Sequence, residues 1–180
     1  MKMLKKISIG ILVLLAIPFV AALFIKTSYE VERSVIIDKP VEQVFSYVKM
    51  LKNQNHYATW GMKDPNIKRT YSGVDGTVGF ISKWSSEDPE VGVGEQEIKA
   101  IKPNKRIDFE LRFLKPFEAT EPAYMLTSSH GENATKVSWG FKGHLDYPMN
   151  LMFLFIDFEA QIGNDLQNGL DNLKNILDKQ

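Results

Sequence analysis

In a strand-length stretch at 29–37 and in several more between residues 68 and 145 apolar side chains recur at every second position, and beyond Pro148 they recur every three to four. Val78, Phe80, Ser82 and Trp84 oppose Gly79, Ile81, Lys83 and Ser85. Ile107, Phe109, Leu111 and Phe113 oppose Asp108, Glu110 and Arg112, and Val137, Trp139 and Phe141 oppose Lys136, Ser138 and Lys142. Such alternation describes strands with one covered and one wet face, joined as an antiparallel meander. The spacing predicts strands over 68–72, 77–85, 94–101, 106–114, 120–129 and 135–145, preceded by a strand over 29–37 whose Tyr29, Val31, Arg33, Val35 and Ile37 share a face. Turn chemistry separates them: Val74-Asp75-Gly76 and Gly131-Glu132-Asn133 supply residues that tolerate positive φ, and Pro103 presets φ ahead of Asn104.

Two short helices are expected after the first strand. Asp38 is placed to cap one that holds Pro40 in its first turn and carries Val41, Val44, Phe45 and Val48 at helical spacing. The second covers about 51–57. The closing segment, 148–179, reads as helix, with Ile162, Leu166, Leu170, Leu173 and Leu177 on one stripe and Asp165, Asn168, Asp171 and Lys174 on the other. A sheet of six to seven strands with one wet face must cover the other face, and this helix is the only element long enough to do it. The expected class is therefore α+β, a curved antiparallel sheet wrapped around a long C-terminal helix.

Ahead of this domain, residues 7–25 form an apolar run interrupted only by Ser8, Gly10 and Pro18, with Lys2, Lys5 and Lys6 before it. Roughly 18 or more such residues suffice for a transmembrane helix. The leading lysines orient the N-terminus to the cytoplasm and the domain to the other side. The reading is an anchor over 1–26 and one domain over 27–180. The rival is a signal peptide cleaved after Ala22, but Leu23-Phe24-Ile25 prolongs the run beyond what a signal needs. Both export the domain. It keeps all 22 acidic residues but only 18 of the 22 basic ones, a net charge of −4. That balance disfavours nucleic acid, which binds chiefly through neutralised phosphates. Without cysteine there are no disulfides, thiolate metal sites or cysteine nucleophiles.

The element order β-α-α-β6-α and its residues resemble the START-like, or SRPBCC, superfamily with the helix-grip fold, and within it the bacterial polyketide cyclase/dehydrase-like branch. The likeness lies in VERSVIIDKPVEQVFSYV, DPNIKRTYSGVDGTVGFISKW, VGVGEQEIKAIKPNKRIDFEL, TKVSW and IGNDLQNGLDNLKNIL, which span about 29–177. The resemblance implies a cavity between sheet and final helix that takes lipids, sterols, polyketides or other apolar molecules. It transfers no chemistry, because the fold serves binders and enzymes alike.

The inward aromatic set, Phe80, Trp84, Phe109, Phe113, Tyr124, Trp139 and Phe141, is the expected ligand-binding wall, since ligand sites are mostly apolar with a few polar groups. A buried indole N–H on Trp84 or Trp139 needs an oxygen partner, which a ligand or water supplies. The run at 149–158, MNLMFLFIDF, is apolar enough to be a helix start wedged against the sheet, a pocket lid or a patch that dips into a bilayer. His56, His130 and His144 have no metal-site spacing, so no metal is expected. Glu95 and Glu97 share a strand face with Lys99 and read as solvated surface. Hydrolase, phosphate-loop and dinucleotide motifs are missing, so neither a catalytic constellation nor a cofactor is expected.

Three functions compete: a membrane-tethered binder of a hydrophobic or lipid-like molecule, a co-chaperone-like protein-interaction module, and a cyclase or dehydratase on an apolar substrate. The last would need His56, Asp157 or Glu159 beside the cavity.

Overall fold

Each alternating stretch becomes a strand of one antiparallel sheet. The computed structural model describes residues 2–180; Met1, part of the expected anchor, lies outside the described residues. The described residues form seven strands, β1 (Ser28–Ile37), β2 (Lys68–Ser72), β3 (Ile81–Ser85), β4 (Val93–Lys102), β5 (Arg106–Lys115), β6 (Ala119–Ser129) and β7 (Thr135–His144). Their order across the sheet is β1-β7-β6-β5-β4-β3-β2, so six strands run as a meander and β1 returns to pair with β7. Helices α1 (Lys2–Ala22), α2 (Val41–Val48) and α3 (Phe158–Leu177) complete the regular elements, with short 3-10 turns at Leu51–His56, Trp60–Met62 and Met149–Leu154.

Three expectations are corrected. Asp38 does not cap α2: Pro40 holds the cap position without a side-chain bond, while the Asp38 backbone N–H donates to Asp178 at the far end of α3. The strand expected over 77–85 begins only at Ile81. Gly79 at φ 87° and the bond from Phe80 N–H to the Thr77 carbonyl make 77–80 a turn, which leaves Val78 exposed. The helix expected over 148–179 is broken. Met149–Leu154 is a 3-10 turn, and α3 starts at Phe158, where the Asp157 carboxylate accepts from the Ala160 N–H at 2.9 Å and supplies the N-cap.

The register gathers one end of every strand on one side. Ser28 lies opposite His144, Ala119 opposite Phe113, Lys115 and Ser85 opposite Val93, and Lys68 opposite Ser85. Helix α1 enters at this end, five residues before β1 is under way. The turns at 73–80, 103–105 and 130–134 lie at the other. Toward that far end the sheet and helix close on a solid core, in which Ile37, Ile98, Ile107, Val137, Leu173 and Leu177 are fully buried. Helix α3 packs on β1 and β7 rather than on the middle of the sheet. Glycine permits that approach: a Cβ at Gly163 would collide with the Arg33 guanidinium, and one at Gly169 would sit 2.9 Å from the Trp139 ring.

Helix α1 is long and apolar enough to cross a membrane, and almost none of it is buried against the domain. Its C-terminal end is the exception. Ala22 is buried, and the Asn150 side chain donates to the Ala22 carbonyl at 2.7 Å and the Ile25 carbonyl at 3.0 Å. The Ala22 carbonyl, at the end of α1, otherwise accepts only a long 3.4 Å bond from the Ile25 N–H. Lys26 adds an ion pair to Glu159 and lies over the Phe153 ring.

Candidate functional site

Because α3 leans on β1 and β7, the curved sheet from β2 to β6 is left partly uncovered on its inner face. Small side chains widen the gap: Ser82 and Ala123 occupy inward positions where their neighbours carry rings. The result is a cavity of about 210 Å³ between the sheet and the first half of α3, roofed by residues 51–61. The roof is tied down by the Thr59 hydroxyl, which donates to Asp165 of α3, by Lys63 on the Asp165 carboxylate, and by Asn172, which donates to the Tyr57 carbonyl.

Most of the wall is apolar, from Leu51, Leu111, Phe113, Trp139, Phe141, Ile162 and Leu166. Trp84 meets Phe113 edge-on at 6.0 Å, and Trp139 meets Tyr57 edge-on at 5.7 Å. The polar groups are few. Gln54 and Gln96 are both buried and both line the space, and the Gln54 Nε2 has no hydrogen-bond partner of normal geometry. Burial pushes the neighbouring Tyr57 phenol far up and Gln54 moderates this, but the Tyr57 hydroxyl makes its bond to the Met125 sulfur. Arg69 lines the opposite side and spends one N–H on the Gly61 carbonyl at 2.6 Å. Trp60 lines the cavity while remaining 37% exposed, so it marks an opening. An apolar chamber with a buried amide wanting an acceptor is suited to hold an apolar molecule that carries one polar group.

Of the seven aromatic residues read from the sequence, Trp84, Phe113, Trp139 and Phe141 line this cavity. Phe80 and Phe109 are buried in the core and do not reach it. Tyr124 is on the opposite face. In β6 the inward positions fall to Glu121, Ala123 and Met125, and the Tyr124 ring fills the outer-face gap above Gly140, where a Cβ would strike it. Its hydroxyl donates to Glu32 at 2.7 Å, and burial followed by Glu32 and Glu30 raises its pKa. The Trp84 indole also departs from expectation, because its N–H is already donated to the Val91 carbonyl at 3.2 Å.

The acid–base candidates stand elsewhere. His56 faces the Tyr47 hydroxyl, Asp157 caps α3, and Glu159 pairs with Lys26; none of them lines the cavity. Glu95 and Glu97 project from the outer face into a network with Arg112, Lys83 and Lys99. Hydrogen bonds from Lys83 and then Arg112 hold Glu95 below the ordinary carboxylate range, and Arg112 does the same for Glu97. Among the described residues no three His, Asp or Glu side chains converge as a metal site. The sequence reading missed Gln54, Gln96, Arg69 and Trp60. For Gln96 the signal was present: it alternates with Gly94 and Ile98 on the covered face of β4, a position where a polar side chain is out of place.

No family model matches the chain, and no curated protein matches it. Solved structures do. The chain is similar to Ara h 8.0201, with a TM-score of 0.59 and 12% identity over 85% of this chain and 99% of that one. It is also similar to truncated norcoclaurine synthase from Thalictrum flavum, with a TM-score of 0.61 and 8% identity over 85% and 95% of the two chains. A third likeness is to the Aha1 dimer from Colwellia psychrerythraea, with a TM-score of 0.56 and 15% identity over 83% and 96%. The chain thus shares the helix-grip fold of these structures, a curved antiparallel sheet around a long C-terminal helix. These similar structures include a synthase and a protein solved as a dimer, so the fold leaves the chemistry to be read from the site.

Proposed function

We propose that residues 27–180 form a binding domain for a hydrophobic or lipid-like small molecule bearing a polar group, and that residues 1–26 hold this domain to a membrane on its extracytoplasmic side. The observation that carries the reading is the cavity itself: an apolar chamber beside which the buried Gln54 Nε2 has no hydrogen-bond partner of normal geometry, the neighbouring Tyr57 hydroxyl being turned to the Met125 sulfur. Leaving such a group unpaired costs about 1–3 kcal/mol, a cost that a bound acceptor removes. Trp84 and Trp139 lie in the wall, so occupancy is expected to change tryptophan emission. The cavity is small beside typical ligand pockets of about 300–1,000 Å³, which favours a single-chain or single-ring molecule over a two-chain lipid. The one carboxylate in the lining, Asp165, is engaged by the Thr59 hydroxyl and by Lys63, and His56, Asp157 and Glu159 lie outside the chamber, so the fold's resemblance to cyclase-like proteins adds no turnover to this reading.

The test is native mass spectrometry of the detergent-purified full chain, paired with tryptophan emission during titration with fatty acids, isoprenoids and aromatic polyketides. A retained adduct of small-molecule mass and a saturable emission change are expected. An unoccupied protein whose emission no apolar compound shifts would refute binding and favour the protein-interaction reading.

A further inference from the structure

The exposed apolar side chains of the domain cluster at the end where α1 enters. Leu23 and Phe24 follow α1 directly, Leu114 and Phe117 flank the turn from β5 to β6, and Leu154 and Phe155 precede α3; Phe117 is 69% exposed and Phe155 85%. The register places the β5–β6 turn at the α1 end of the sheet, and the Asn150 bond to Ala22 holds the 149–154 turn against the same end. The far end leaves Ile36, Tyr71, Val74 and Val78 exposed, with no continuity to α1. Residues lining the cavity follow the same polarity. Arg69 is near the start of β2, Trp84 near the end of β3, Gln96 near the start of β4 and Phe113 near the end of β5. The chamber therefore occupies the α1 half of the grip.

The join between α1 and the domain is bonded. Asn150 holds the Ala22 and Ile25 carbonyls, and Lys26 pairs with Glu159. A helix so clamped carries the domain with it, instead of trailing it on a loose linker. We propose that the α1 end of the domain is seated in the surface of the bilayer that α1 crosses, with Phe117 and Phe155 in the interfacial region and the cavity in the half of the domain nearest lipid. This rests on the reading of α1 as a retained transmembrane helix. The occupant is lipid because the apolar surface is continuous with a membrane-crossing helix, and aromatic side chains favour the interfacial zone. The loop between β3 and β4 brings Glu87, Asp88 and Glu90 to the same end, so the contact relies on apolar insertion and not on attraction to anionic headgroups.

The chain has no cysteine, so single-cysteine labels can be placed at will. Full-length protein carrying Phe117→Cys, Phe155→Cys, Glu132→Cys or Leu14→Cys is reconstituted in phosphatidylcholine vesicles. An environment-sensitive dye at 117 or 155 is expected to shift to the blue and to be quenched several-fold more by nitroxide-labelled lipid than the dye at 132, which lies in a far-end turn. The quenching should persist at high salt and should not require anionic lipid. Leu14→Cys should resist a water-soluble thiol reagent until detergent is added. If Leu14→Cys is shielded but labels at 117 and 155 quench no more than the one at 132, the seating is overturned and the spanning helix stands. If Leu14→Cys reacts freely, the spanning reading fails and takes the seating with it. A dependence on anionic lipid would overturn the apolar contact.

Discussion

Replacing Gln54 by leucine should stabilise the protein while weakening the proposed ligand binding. Gln54 is 8% exposed, and its Nε2 has no partner of normal geometry, so folding strips that N–H group of water without full compensation. Removing an unsatisfied polar group recovers about 1–3 kcal/mol. A swap of similar volume in a packed wall typically costs less than about 1.5 kcal/mol. The net expectation is a gain of roughly 1–2 kcal/mol, which at about 2–4 °C per kcal/mol for a domain of this size raises the melting temperature by roughly 2–8 °C. Binding should move the other way, by about tenfold for each 1.4 kcal/mol of lost polar contact. Thermal unfolding followed by circular dichroism gives the first number, and titration of tryptophan emission gives the second. A lower melting temperature for Gln54→Leu would mean that the amide is satisfied within the folded protein. A higher one with unchanged affinity would mean that the amide is not part of the binding surface. Either result refutes the argument from the unpaired group. Many natural sites trade stability for function in this manner.

Other perturbations test other joints of the structure. Glu121 faces inward on β6, and burial raises its pKa above the ordinary 4.5 although the His144 N–H donates to it. The folded state holds this proton more tightly than the unfolded chain, so the group costs stability as pH rises through its raised value. Glu121→Gln should therefore stabilise the protein at neutral pH, and its advantage in urea midpoint should shrink as pH falls toward the ordinary carboxylate range. Arg112 has the opposite sign: it depresses Glu95 and Glu97, whose contribution is present at neutral pH and is lost as acid carries the solution down through their lowered values. Arg112→Met should be least stable relative to the parent at neutral pH, and the gap should close in acid. Asn150→Ala strips two bonds from the end of α1. In native-state hydrogen exchange it should raise the exchange of amides at 22–27 without altering those of the far-end core.

Much of the fold was legible because its period was clean. Strands 68–72 and 106–114 came out at or within a residue of their boundaries, and the stripe of Leu166, Leu170, Leu173 and Leu177 is the buried face of α3. Errors arose where a side chain serves a distant partner. Asp38 reads as a local cap, but Asp178 claims its backbone, and the run before α3 reads as helix, but Asn150 turns to serve α1. The wall of the candidate chamber was legible in part. Large aromatics on a covered strand face announce themselves, as Trp84, Phe113, Trp139 and Phe141 did. Tyr124 misled because size alone suggests inward placement, and only Gly140 beneath its ring explains how the outer face takes it in. The polar end escaped notice because Gln54 and Trp60 lie in 3-10 turns that carry no period, and because the helix position that makes space for the chamber is a property of tertiary packing.

The sheet order has a consequence for the moment of synthesis. Strand β1 pairs with β7 alone, and β7 is the last strand to leave the ribosome. The ten residues of β1 must therefore wait beside α1 with both backbone edges unpaired while the other six strands are made. The hairpins from β2 to β7 form between sequence neighbours and close quickly, whereas the β1–β7 seam requires the largest loop of any strand pair in the sheet. A nascent chain passes through an interval in which the meander is complete but the grip is open. Its unpaired strand is then the edge at which a second chain can join.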